Sequence, residues 1–156
     1  MTLVNALELD PHALLERIAK VLGDCLAVGS LNRRTGALGA YLPRSAQWSE
    51  QLARAATGAG AVFPGVRLGA IAALLSEISA GARSTTQFEN VSLVAEEGSS
   101  IVFQRCPWDE REVLFVVLPD DGRGETNLAL LRLVLESVRR DVAIVRAPRV
   151  EERCWN

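Results

Sequence analysis

Residues Val113 to Leu118 form an unbroken apolar run, closed by Glu112 on one side and Pro119 on the other. A run this short, with no polar alternation, has the pattern of a central strand buried on both faces. A strand without a wet face needs a covering layer on each side, so the rest of the chain is read for those layers. Two further strands precede it. Phe88 to Ala95 alternates Val91, Leu93 and Ala95 with Asn90, Ser92 and Val94, and Ser100 to Cys106 alternates Ile101 and Phe103 with Val102 and Gln104. Glu96-Glu97-Gly98 and Pro107-Trp108-Asp109 supply the turns between them.

Helices flank this block. Asp10-Pro11 is a helix start: an aspartate can cap, and proline suits the first position because its missing N–H would be unpaired there. Leu14, Leu15, Ile18, Val21, Leu22 and Cys25 follow at helical spacing, which predicts an amphipathic helix over 11–24. A small-residue hairpin follows, Leu26 to Asn32 and Ala37 to Leu42, turning at Arg33-Arg34-Thr35-Gly36 and stopped by Pro43. Gly29 and Gly39 weaken both strands and are read as places where a helix packs close. Residues 45–82 read as helical with an interruption. Ser45 caps Ala46 to Ala56, Thr57-Gly58-Ala59-Gly60 breaks the pattern, and Leu68, Ile71, Ala72, Leu75 and Ile78 form an apolar stripe. A final helix capped by Thr126 or Asn127 buries Leu128, Leu131, Leu135 and Val138, and Glu136 and Arg140 stand four apart in the favourable order. From Asp141 on, the chain reads as a partly extended tail.

At 156 residues the default is one domain. A net charge of −2 and scarce aromatics give no basic, aromatic-studded surface, so no nucleic-acid partner is expected. No stretch is long and apolar enough to span a bilayer, and the first ten residues lack the basic start of a signal peptide. The expected location is the cytoplasm, without membrane insertion. The three cysteines, Cys25, Cys106 and Cys154, are dispersed and odd in number, which fits a reducing compartment. With the single His12 they give no zinc spacing, so neither metal nor cofactor is expected.

Catalytic motifs fail on their requirements. Gly58-Ala59-Gly60 lacks the lysine of a phosphate loop and the preceding strand of a dinucleotide fingerprint. Cys106 and His12 are a nucleophile and a base on paper only, since nothing places them in reach of each other. Asp120-Asp121-Gly122 lacks the alternating ligands of a calcium loop. No catalytic residue is assigned, and the chain is read as a non-enzyme.

Three stretches resemble the Roadblock/dynein light chain family: LAVGSLNRRTGALGAYL after the first helix, NVSLVAEEGSSIVFQRCPWDEREVLFVVLPDD, and TNLALLRLVLESV. The resemblance implies an α/β (α+β) sandwich in the order α-β-β-α-β-β-β-α. One antiparallel five-stranded sheet would carry the first and last helices on one face and the middle helix on the other. It divides the chain into an N-terminal extension (1–9), a roadblock-like domain (10–141) and a C-terminal tail (142–156). It also implies a bacterial, dimeric signalling adaptor. The middle helix, Val66 to Ile78, and the third strand would pair with a second copy or a paralogous roadblock protein through Leu68, Ile71, Leu75, Ile78, Val91 and Leu93. A small Ras-like GTPase would be the regulated partner, with Arg33, Arg34 and Trp108 as candidate contacts. The competing reading is a profilin- or longin-like sensory domain that binds a small ligand or a signalling kinase.

Overall fold

In the computed structural model β5 (Glu112–Pro119) sends alternate side chains into two separate cores. Leu114, Val116 and Leu118 enter one; Val113, Phe115 and Val117 enter the other. The structure describes residues 10–58, 62–63, 73, 90–94 (backbone), 99–120 and 122–146. Within them the fold is mixed α/β, with three helices on an antiparallel sheet. The strands β1 (Ala27–Asn32), β2 (Leu38–Pro43), β3 (Asn90–Val94) and β4 (Ser99–Arg105) join β5 in the order β2-β1-β5-β4-β3. The central position of β5 gives it a hydrogen-bonded neighbour on each edge, Ala27 opposite Val117 and Phe103 opposite Phe115.

Two helices cover the first face. In α1 (Pro11–Val21) the Asp10 carboxylate accepts from the His12 N–H at 3.3 Å, and Pro11 opens the first turn. The helix ends at Val21, short of the expected 24, because Leu22 leaves helical geometry ahead of Gly23. Its Leu14, Leu15 and Ile18, with Leu22 just past its end, meet Leu131, Val134, Leu135 and Val138 of α3 (Gly124–Arg146) over Val28, Val102 and Leu114. On the other face lies α2 (Ala46–Ala56), whose cap Ser45 accepts from the Trp48 N–H at 3.2 Å. Beyond Gly58, which turns at φ 81°, Val62 and Phe63 drop into this core. Phe63 stacks edge-on against Phe103 at 5.5 Å and Phe115 at 5.1 Å, and leans on Trp48 at 5.8 Å.

Three expectations are corrected. Residues 141–146 are not extended: α3 runs to Arg146, past the expected start of the tail. Val142 is buried, continuing the spacing of Leu131, Leu135 and Val138, and Asp141 pairs with Arg17 of α1 at 2.6 Å. At its other end α3 starts at Gly124, ahead of the expected caps, and Asn127 is a buried residue of the helix. The strand glycines make room for other strands and not for helices. A Cβ on Gly29 would lie 2.7 Å from the Phe115 ring and 2.9 Å from the Ala40 carbonyl. One on Gly39 would meet the Glu112 carboxylate and, at 2.7 Å, the Ser30 hydroxyl.

Candidate partner-binding surfaces

Strand pairing brings two turns together at one end of the sheet. Asn32 closes β1 opposite Glu112, which opens β5, so the β1–β2 turn lies beside the β4–β5 turn. The β1–β2 turn is held by the Asn32 side-chain oxygen, which accepts from the N–H groups of Arg34 at 2.9 Å and Thr35 at 3.0 Å. Gly36 completes it at φ 75°, a conformation that favours glycine. Arg33 ties the two turns: its N–H donates to the Arg111 carbonyl at 2.9 Å and its guanidinium to the Glu110 carbonyl at 3.4 Å.

Three exposed guanidiniums result, those of Arg33, Arg34 and Arg111, on backbone fixed by strand pairing. Arg111 is further positioned by Asp109, whose carboxylate accepts from its N–H at 2.9 Å and its Nε at 3.2 Å. Those bonds hold the Asp109 carboxyl below its ordinary range. Sequence reasoning names Arg33 and Arg34 as candidates and does not name Arg111, whose place depends on a pairing between residues far apart in the chain.

Trp108 does not join them. It is 6 % exposed and belongs to the core under α1 and α3, and its carbonyl accepts from the Arg146 guanidinium. The Pro107-Trp108 turn folds back beneath the last turn of α3, so the indole closes the core and is not offered to a partner.

The opposite side of the sheet ends in β3. Among the described residues β3 pairs only with β4, Val91 opposite Phe103 and Leu93 opposite Ile101. The four expected helix positions Leu68, Ile71, Leu75 and Ile78 lie outside the described residues.

The chemistry of the cysteines is quiet. Burial pushes the Cys106 thiol up to about 12, so it stays protonated and is no nucleophile at neutral pH. Cys25 is also raised by burial. His12 sits exposed in the first turn of α1, its Nδ1 3.4 Å from Glu16 of the same helix. Among the described residues no cluster of three or more His, Cys, Asp or Glu could hold a metal ion. No described helix is long and apolar enough to cross a membrane.

No protein-family model and no curated relative matches the chain. Solved structures do. A Roadblock/LC7 domain from Streptomyces avermitilis is similar at 9% identity and a TM-score of 0.48, over 83% of this chain and 94% of that one. MglC from Myxococcus xanthus is similar at 16% identity and a TM-score of 0.49, over 81% and 96%. Myxococcus xanthus MglB reaches a TM-score of 0.50 at 16% identity, over 86% of this chain and 92% of that one. At such identities the likeness speaks for architecture, and the architecture of this chain is roadblock-like.

Proposed function

We propose that the chain is a dimeric, non-catalytic adaptor of the roadblock family that regulates a small Ras-like GTPase. The observation that carries this reading is β3, paired on one side only among the described residues, in a fold shared with MglB. A strand edge with free N–H and C=O groups templates another strand. A second copy pairing there about a two-fold axis would continue the sheet from one protomer into the next. In this reading Leu68, Ile71, Leu75, Ile78, Val91 and Leu93 make the contact. Arg33 and Arg34, joined by Arg111, face the GTPase and offer planar donors to its carboxylates. Regulation comes from binding one nucleotide state better than the other, which shifts the population of the switch.

The test has two arms. Light scattering after gel filtration is expected to give a dimer for the wild type, and a folded monomer for Ile71→Asp or Leu75→Asp. Capture from native lysate with a GTP analogue or GDP is expected to enrich a small GTPase in one condition only. Arg33→Glu with Arg34→Glu should remove that capture and leave the dimer intact. A wild type that stays monomeric at high micromolar concentration refutes the interface. Absence of a GTPase in both conditions refutes the regulatory role.

A further inference from the structure

The outward face of α3 is built like a second seam. Ala129, Leu133, Glu136, Arg140 and Ala143 follow one another at spacings of four, three, four and three, and all five are exposed. That is the repeat by which one helix packs along another. Ile144, four residues after Arg140, lies at the edge of the same stripe. Leu133, at 61%, and Ile144, at 69%, are the most exposed large apolar residues described. The inward face of α3 already fills the core with Leu131, Leu135, Val138 and Val142, so these residues contribute nothing there. On an ordinary surface helix the outward face is polar. Here an open depression runs over its first half, lined by Glu125, Leu128, Ala129, Arg132, Leu133 and Glu136. The side of α3 toward α1 is taken, because Arg17 holds both Ser137 and Asp141.

We propose that this stripe binds the same stripe of a second copy of the chain, with the two α3 helices antiparallel. The charges choose the occupant and the direction. Glu136 and Arg140 occupy the middle of the stripe, between Leu133 and Ala143. In an antiparallel pair, the register that seats Leu133 against Ala143 of the second copy also sets Glu136 against Arg140 of the second copy. Two-fold symmetry repeats both contacts. Large meets small at the ends, and opposite charges meet in the middle. A parallel pair would set Glu136 on Glu136 and Arg140 on Arg140, which repel. Within one chain these charges are not spent on each other. Glu136 turns back to Arg132 at 3.7 Å, and Arg140 makes no ion pair among the described residues. Ile144 of the second copy would enter the depression near Arg132 and Leu133.

A single helix pair falls below the size of a standard stable interface, so the contact is weak between free chains. It strengthens where two chains are already joined elsewhere, because the second contact then forms at high effective concentration. The contact does not rest on the β3 reading. Together the two would build assemblies of dimers, whereas α3 alone would build one dimer.

Sedimentation of the full chain over a concentration series tests it, using Glu136→Arg, Arg140→Glu and their equimolar mixture. Each variant alone carries like charges across the seam and is expected to self-associate about tenfold more weakly than the wild type. In the mixture one copy presents two arginines and the other two glutamates, and association is expected to return to at least the wild-type level. Leu133→Asp should abolish it. All three sites are exposed, and thermal melts should confirm intact folding. Two single variants that associate like the wild type would overturn the proposal, as would a mixture that fails to recover. A change confined to the α3 variants separates this contact from the β3 edge, which they leave untouched.

Discussion

The two faces of the sheet are built by different means. The first is regular and, Trp108 apart, carries no aromatic ring among the described residues: α1 and α3 lay leucines, isoleucine and valines at helical spacing across Val28, Val102, Leu114 and Val116. The second is aromatic and irregular. Among the described residues α2 covers part of it, and Phe63, which belongs to no helix or strand, meets three other rings there. Many small contacts spread the stability of the first face along two helices. On the second, one residue on a connector joins α2 to β4 and β5, so the loss of that residue should be felt more widely.

Single truncations can break this comparison. Phe115→Ala, at the centre of the aromatic face, is expected to cost about 3–5 kcal/mol, and Leu135→Ala on the aliphatic face about 2–5 kcal/mol. Urea unfolding reads both. Phe63→Ala should cost less than Phe115→Ala, because Phe115 is fully buried in the sheet whereas Phe63 keeps a small exposed edge. Phe63 and Phe115 should couple by about 0.5–1.5 kcal/mol in a double-mutant cycle, as ring pairs do. Zero coupling with a small cost for Phe63→Ala would make the connector a passive cover.

The same contrast explains what the sequence reveals. Periodicity reports regular elements, so α1, α3 and the buried run of β5 were legible, and the cap at Asp10-Pro11 could be placed to the residue. Phe63 follows a glycine-rich break and has no period, so nothing local marks it as core. The true end of α3 lies past the expected start of the tail at Asp141, and the local sign of it is Val142, which keeps the spacing of Leu135 and Val138. Of the surface arginines, Arg33 and Arg34 announce themselves in a turn, while Arg111 joins them only through the pairing of β1 with β5. The outward stripe of α3 has no sign of its own in the sequence, because Leu133 and Ile144 are outnumbered by the apolar residues of the inward face.

The two strand glycines sharpen the comparison at a smaller scale. Gly29→Ala would drive a methyl into the Phe115 ring and the Ala40 backbone of β2, neither of which can move aside freely. A loss of about 1–3 kcal/mol is expected. Gly39→Ala meets the end of the Glu112 side chain, which can swing toward water, and the Ser30 hydroxyl. It should cost less than Gly29→Ala in parallel thermal melts. The reverse order would mean that the Glu112 carboxylate is held more firmly than the aromatic ring.

That carboxylate is the polar corner of the aliphatic face, since Glu112 shares its side of β5 with Leu114 and Val116. Its Oε1 accepts from the Ser30 hydroxyl at 3.2 Å. Burial raises its pKa, the Ser30 bond offsets this only in part, and nearby Asp109 raises it further. The folded chain therefore holds this proton more tightly than the unfolded chain does. As pH climbs from the ordinary glutamate value through the raised folded one, stability falls, and the loss persists at neutral pH. Asp109 acts in the opposite sense: its lowered pKa gives stability that is present above the ordinary aspartate value and lost as pH falls through the folded one. Glu112→Gln keeps an acceptor for Ser30 and removes the titration. It is expected to be slightly more stable than the wild type at neutral pH, with that advantage gone below the glutamate range, leaving the acid-side loss from Asp109 in melting temperatures taken against pH. The gain is the smallest of these effects, because the side chain is partly exposed and solvent screens it. A loss of stability at neutral pH would instead mean that the negative charge itself is needed, with Arg111 as the neighbouring cation that it steadies.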